Sequence, residues 1–227
     1  MTILILAAHP DDEVLGCGGT IARLTGAGHH VHIAILGEGI TARATTREEA
    51  DPAAIEALRT CSREAADLLG AHSIHHGDLP DNRFDTVPLL DVVKHIEALI
   101  RKLAPEEIYT QHGGDLNIDH AVVYRATLTA TRPMRGSPVR RVYAYEVASS
   151  TEWAFGQFAP AFQPNVFVDI SDTLETKIAA MQAYESEARP FPHPRSPKSL
   201  RALARRHGST AGLEAAEAFQ LVREIRP

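Results

Sequence analysis

The sequence predicts an α/β fold: a mainly parallel sheet with helices on both faces, formed by residues 1–227 as one domain. Three observations lead there. The chain opens with an unbroken apolar run, Ile3-Leu4-Ile5-Leu6-Ala7-Ala8, which reads as a strand buried on both faces. Strand-like and helix-periodic stretches then alternate, the pattern of right-handed strand–helix–strand units. Finally, the first run ends in His9-Pro10-Asp11-Asp12-Glu13, and open α/β sheets bind ligands just beyond the carboxyl ends of their strands.

The elements follow in order. After the strand at Met1–Ala8, residues 14–25 have helical spacing through Val14, Ile21 and Leu24. Gly16, Gly18 and Gly19 in its opening turns permit close backbone approach, and Gly26 and Gly28 stop it. Val31–Leu36 reads as the second strand, and the loop 37–46 leaves its carboxyl end, facing the same cleft. Residues 48–69 are helix-rich with a break expected at Pro52; a short strand near Ser73–His75 and a loop at 77–83 come next. Pro88–Leu103 is amphipathic through Leu89, Val93, Ile96 and Ile100, and Glu107–Thr110 is a further strand. Residues 121–131 continue as a helix up to Pro133. Strands at 139–147 and 165–169 flank a connection containing Trp153, Phe155 and Phe158, which suits either a substrate mouth or a contact between copies. Ser171 is expected to cap a helix through Leu174 and Glu175. Residues 191–206 read as a basic, proline-punctuated tail, and 215–225 as a last strand or helix.

Composition narrows the function classes. A net charge of −6 gives no basic footprint for nucleic acid. Cys17 and Cys61 are too few for a disulfide framework or a cysteine-rich zinc site. The opening residues lack the signature of a signal peptide, and no apolar stretch reaches membrane-spanning length. The expectation is a cytoplasmic protein, monomeric or homo-oligomeric. Of its 12 histidines, the pairs His29-His30 and His75-His76 read as solvated turns.

A second polar cluster, His112-Gly113-Gly114-Asp115-Leu116-Asn117-Ile118-Asp119-His120, also follows a strand. Together the two clusters are raw material for a His/Asp/His metal site. Nitrogen and carboxylate donors without thiolate suit Zn2+, with Fe2+, Mn2+ or Co2+ as alternatives. Three protein ligands leave a position for water, and a carboxylate off the metal can take its proton. Asp11 and Asp12 could divide these tasks, since successive side chains leave an extended backbone in opposite directions. The plainer alternative is that Asp11, Asp12 and Glu13 only cap and charge the start of the next helix.

The stretch His9-Pro10-Asp11-Asp12-Glu13-Val14-Leu15-Gly16-Cys17-Gly18-Gly19 resembles the signature of the PIG-L/LmbE-like metal-dependent N-deacetylases. The resemblance runs from the first strand to Ala215-Ala216-Glu217-Ala218-Phe219 and implies a Rossmann-like, three-layer α/β/α (LmbE-like) domain. Members remove acyl groups, usually acetyl, from N-acetylglucosamine-containing lipids, thiol-conjugated sugars and antibiotics. The resemblance implies His9, Asp12 and His120 as metal ligands, Asp119 as the acidic neighbour of His120, and Asp11 as general base. Asn117 stands where the family carries a histidine credited with oxyanion stabilisation; its amide can donate but cannot act as an acid. Protonation of the leaving amine then falls to Asp11 on its return stroke, with His193 or His112 as alternatives. Asp81 and Arg59, with Arg63 a rival to the latter, match substrate-binding positions, and His193 is grouped with them.

The reading is a zinc-dependent hydrolase that removes an N-acetyl or small N-acyl group from an amino sugar or its conjugate. One alternative is an amidase acting on a thiol conjugate or a non-sugar N-acyl metabolite. Another is a non-catalytic Rossmann-like binding domain. Against that one, Gly16-Cys17-Gly18-Gly19 lacks G-x-G-x-x-G spacing, and carboxylates at the strand tip repel a pyrophosphate.

Overall fold

Ile3 to Ala8 is wholly buried because its strand lies inside the sheet, paired on both sides. The computed structural model describes residues 1–226. In chain order the elements are β1 (Thr2–Ala7), α1 (Asp12–Gly26), β2 (His30–Gly37), α2 (Pro52–Leu68), β3 (Ser73–Leu79), α3 (Leu89–Leu103) and β4 (Glu107–Gln111). They continue with α4 (Ile118–Ala130), β5 (Arg141–Tyr145), β6 (Val166–Asp169), α5 (Leu174–Ala183), α6 (Pro197–Ala211) and β7 (Ala216–Glu224). The strands form one 7-stranded sheet in the order β3-β2-β1-β4-β5-β7-β6. β1 to β5 run parallel, whereas β7 is antiparallel to both β5 and β6.

Alternation along β1 divides the core. Ile3, Ile5 and Ala7 pack with apolar residues of α1, α2, α5 and α6, while Leu4, Leu6 and Ala8 pack with α3 and α4. The result is the three-layer α/β/α arrangement. None of the described helices is long and apolar enough to cross a membrane.

Several local expectations are corrected. Pro52 starts α2 instead of breaking a helix, because its missing N–H falls at the first helical position and Asp51 accepts from Ala53 N at 2.9 Å. The same chemistry builds α6 inside the expected tail: Ser196 accepts from Ser199 N and Pro197 follows it. The Ser171 hydroxyl donates to Asp169 Oδ1 at 2.6 Å and caps nothing. β3 extends through Gly77 to Leu79, and residues 216–224 form a strand. His30, His75 and His76 lie on strands, not turns, and His76 Nε2 contacts Ser62 Oγ at 2.6 Å.

α1 carries the polar cluster and is clamped from the far end of the chain. At Gly16 a Cβ would meet the Tyr145 ring at 2.1 Å, so only glycine lets α1 lie this close to β5. Glu217 of β7 accepts the N–H groups of Gly19 (2.9 Å) and Thr20 (2.7 Å), while Lys177 Nζ donates to the Leu15 carbonyl at 2.8 Å. Gly19 N–H and Leu15 C=O are groups that a regular helix pairs with each other. Lys177 and Glu217 close the clamp with a 2.6 Å ion pair, at 5% and 4% exposure. Removing one partner leaves a buried charge unmatched, which costs about 3–5 kcal/mol. Lys177→Met is therefore expected to lower unfolding free energy by about that amount in a denaturant titration. A loss below about 1 kcal/mol shows that the pair is not essential to α1.

Candidate active site

Beyond the carboxyl ends of β1, β2 and β4 lies a cavity of about 560 Å³, lined by residues that include His9, Asp11, Asp12, Asp81, Asn117, His120, Trp153 and Arg195. Its floor is the turn from β1 into α1. Asp11 adopts φ 105°, ψ −27°, a left-handed conformation that costs a non-glycine residue about 1–3 kcal/mol. Buried contacts hold it there. Its N–H donates to Glu13 Oε2 (3.1 Å), Tyr184 OH donates to Glu13 Oε1 (2.5 Å), and Arg195 Nη1 donates to Asp11 Oδ2 (2.5 Å). The backbone at Asp11–Asp12 is thus not extended; the left-handed turn separates the two carboxylates. Nor does the Asp11 side chain cap α1.

Asp12, the first residue of α1, accepts on Oδ2 from His9 N (2.9 Å) and from Gln111 Nε2 (3.0 Å) at the end of β4. His9 directs Nε2 at Asp119 Oδ2 (2.8 Å), leaving Nδ1 on the Asp12 side at 3.5 Å. His120 sits one residue further along α4 than Asp119, with Nδ1 3.2 Å from Asp115 Oδ1 and Nε2 3.2 Å from Asp12 Oδ2. Both nitrogens are buried, and neither meets a partner at hydrogen-bonding angles. Asp115 is fixed in turn by Ser150 Oγ, by Thr151 Oγ1 (2.6 Å) and by Asn117 N (2.9 Å).

These residues fit a divalent metal. Donor atoms of His9, Asp12 and His120 lie within 4.8 Å of one another. Two imidazoles and a carboxylate suit zinc, and His120 Nε2, buried beside Asp12 without a hydrogen bond, lacks the partner that an ion would provide. Each imidazole presents its other nitrogen to a buried carboxylate, Asp119 for His9 and Asp115 for His120, an arrangement that fixes ring orientation in metal sites. A second grouping, His9, Asp81 and Asp119, shares His9. Its carboxylates are more committed: Asp119 also accepts from Phe84 N, and Asp81 from Ala42 N and Asn82 Nδ2.

The electrostatics agree with a cation site. Burial disfavours a charged His120, but Asp12 and Asp115 outweigh it and raise the ring to about 9. His9 is likewise raised, burial being overcome by Asp119 and Asp12. The carboxylates around both rings thus favour positive charge at this point of the pocket. Burial pushes Asp11 up to about 7, against the pull of Arg195, and pushes Glu13 up to about 8.

The other sequence candidates are distributed differently. Asp81 lines the pocket. Asn117 also lines it, but as the N-cap of α4: Oδ1 accepts from Asp119 N (2.9 Å) and Nδ2 donates to Asn82 Oδ1 (3.0 Å). Arg59 points away, to the Gly77 carbonyl at 3.3 Å, and Arg63 pairs with Glu56 on the surface. His193 lies in an adjoining depression against Trp153. His112 is buried, bonded to the Pro160 carbonyl, and does not line the pocket. The arginines at the pocket are Arg195 and Arg43, joined through Glu187: Arg43 Nη2 lies 2.7 Å from both carboxylate oxygens, and Arg195 Nη1 lies 3.5 Å from Oε2. Sequence reasoning missed them because Arg195 is 184 residues from Asp11, and no local pattern marks it. Asp115 was detectable, since it lies inside the second polar cluster.

The chain is similar to several known proteins. Residues 4–131 match the family described as PIG-L: GlcNAc-PI de-N-acetylase. An uncharacterized deacetylase, YaiS, of Escherichia coli strain K12 is 30% identical over 190 residues, covering 81% of this chain and 90% of that protein. The diacetylchitobiose deacetylase of Thermococcus kodakarensis is 29% identical over 237 residues, covering 97% of this chain and 82% of the relative. Among solved structures, GalB, the 4-carboxy-2-hydroxymuconate hydratase of Pseudomonas putida KT2440, superposes with a TM-score of 0.75 at 23% identity, covering 100% of this chain and 98% of that one. That likeness concerns the fold alone, and one fold hosts several chemistries. With more than half its length matching the family and its sequence relatives named as deacetylases, the chain belongs to the PIG-L family of de-N-acetylases.

Proposed function

We propose that the chain hydrolyses the N-acetyl, or another small N-acyl, group of an amino sugar or its conjugate. The observation that carries this reading is the convergence of His9, Asp12 and His120 donor atoms beside a buried Asp11 in one polar pocket. His9, Asp12 and His120 would hold a divalent ion, Zn2+ first and Fe2+, Mn2+ or Co2+ as alternatives, which would supply a Lewis acid for the amide carbonyl and a water that ionises near neutral pH.

Asp11 is assigned the proton transfers. Arg195 holds Oδ2, leaving Oδ1 to accept a proton from water as the oxygen attacks the amide carbon. The protonated Asp11 then returns that proton to the departing nitrogen. The C–N bond breaks, and acetate and a free amine result. Burial raises the Asp11 carboxyl, and a divalent ion in the site would pull it back toward the charged form that accepts the proton. Trp153, Asp81 and Arg43 line the pocket, and we assign Trp153 to a sugar ring and Asp81 and Arg43 to its hydroxyls. Arg43 takes the substrate role that sequence alone gave to Arg59. The net charge of −6 suits a small substrate and not nucleic acid.

Asn117 keeps one amide hydrogen beyond its bond to Asn82, and that hydrogen is assigned to the oxyanion. Losing such a donor costs about 3 kcal/mol in the barrier. Asn117→Ser preserves an N-cap but withdraws the amide, so turnover is expected to fall while metal content and melting temperature hold. Parental turnover in this variant removes Asn117 from the reaction.

The substrate class is tested by incubating the zinc-loaded protein with diacetylchitobiose, N-acetylglucosamine conjugates, N-acyl thiol conjugates and non-sugar N-acetyl amines. Equimolar acetate and amine from the sugars is the expected result. Release from the other compounds alone overturns the amino-sugar assignment.

A further inference from the structure

A second group of potential metal ligands lies at the opposite end of the sheet. His30 and His32 occupy alternate positions of β2 and so face the same side, a spacing that lets two imidazoles reach one ion. His72, just before β3, places its ring centroid 4.7 Å from that of His30 and 5.2 Å from that of His32. Ser73, cross-strand from His32, joins its hydroxyl to His32 Nδ1 at 2.7 Å and to His75 Nε2 at 3.0 Å. His32 is therefore oriented through Nδ1 with Nε2 left over, as His120 is oriented by Asp115 in the catalytic pocket. His30 pairs in register with Thr2 at the start of β1, whereas the catalytic cluster follows the end of that strand, roughly 17 Å away by strand rise.

The charges around this group do not explain why it exists. The largest charged influences on His32 are those of His72, His75, His30 and, from α3, Lys102. His75 also feels Lys102. Burial, aided by these neighbours, holds His32 and His75 below the ordinary imidazole value, so both are neutral near pH 7 and have a lone pair to give. Neither ring gains an ion pair. A cation shared among the rings of His30, His32 and His72 would give the three a common partner.

We propose that His30, His32 and His72 form a second transition-metal site, independent of the catalytic pocket, with His75 and Ser73 orienting His32. Neutral imidazoles select Zn2+, Ni2+ or Cu2+ over Mg2+ or Ca2+. Three such ligands leave a fourth position for water or for a side chain from elsewhere. The donor atoms that already converge are those of the catalytic pocket, so the exposed rings of His30 and His72 must both turn toward His32 Nε2 to complete the set.

Zinc content after desalting tests this. The parent, loaded with Zn2+ and desalted, is expected to retain two equivalents, and the His30→Gln/His72→Gln double variant one, with its deacetylase rate unchanged. A His9→Ala/His120→Ala double variant should also retain one, now with activity lost. With Co2+ in that last protein, an absorption band of a nitrogen-ligated ion should appear and should vanish when His30 and His72 are also replaced. A parent that retains a single equivalent, or a His30/His72 variant that still retains two, overturns the second site. Neither result bears on the proposed deacetylation, which is read from the activity and from the His9/His120 variant.

Discussion

Asp11→Asn is expected to fold, to keep its metal, and to lose about a hundredfold to ten-thousandfold in turnover. The substitution removes little besides the ability to accept a proton. Asparagine matches aspartate in size, tolerates the left-handed backbone at φ 105° better than most residues, and its amide oxygen can still accept from Arg195. Confounding by misfolding is therefore small. Turnover on the best substrate, measured beside metal content, decides the matter. A variant with parental metal and a parental rate would exclude Asp11 as the base and move that task to another pocket carboxylate, Asp81 being next.

His9→Ala and His120→Ala should each weaken retention of the proposed catalytic metal and abolish activity. Loss of either imidazole leaves two protein donors of the three, and the site's open geometry offers no substitute among the groups already committed to hydrogen bonds. The carboxylates behind the rings carry a graded version of the same expectation. Asp119→Asn and Asp115→Asn keep every ligand but weaken its orientation, and outer partners of this kind are typically worth about 10- to 100-fold in metal affinity. Competition against a chelator of known strength measures both effects. If His9→Ala and His120→Ala hold the ion as firmly as the parent, the ligand set is wrong, whatever happens to the rate.

How far the molecule was readable depended on whether the signal was local. The first strand declared itself because burial on both faces demands an unbroken apolar run, and α3 because its buried residues Val93, Ile96 and Ile100 recur at helical spacing. The two polar clusters were visible for a similar reason: each is a contiguous stretch at a strand end. Proline misled twice in the same way. Pro52 and Pro197 read as punctuation, yet each follows a capping residue and opens a helix. Asp11 misled differently, since its left-handed backbone is imposed by Glu13, Tyr184 and Arg195 and not by its own preference. The Arg195–Glu187–Arg43 chain and the imidazole group on β2 and β3 are tertiary juxtapositions, and no window of sequence contains them.

The clamp of Lys177 and Glu217 on α1 also sets a schedule. Glu217 lies 198 residues after Gly19, and at typical synthesis rates of about 5–20 residues per second that interval lasts roughly 10 to 40 s. Throughout it the helix bearing Asp12 has emerged, while the carboxylate that receives its Gly19 and Thr20 amides has not been made. A chain halted at residue 210 already contains every proposed metal ligand, yet lacks the carboxylate that receives the Gly19 and Thr20 amides of α1. Catalytic competence should arrive abruptly, with the final strand, and not build up as the ligands appear.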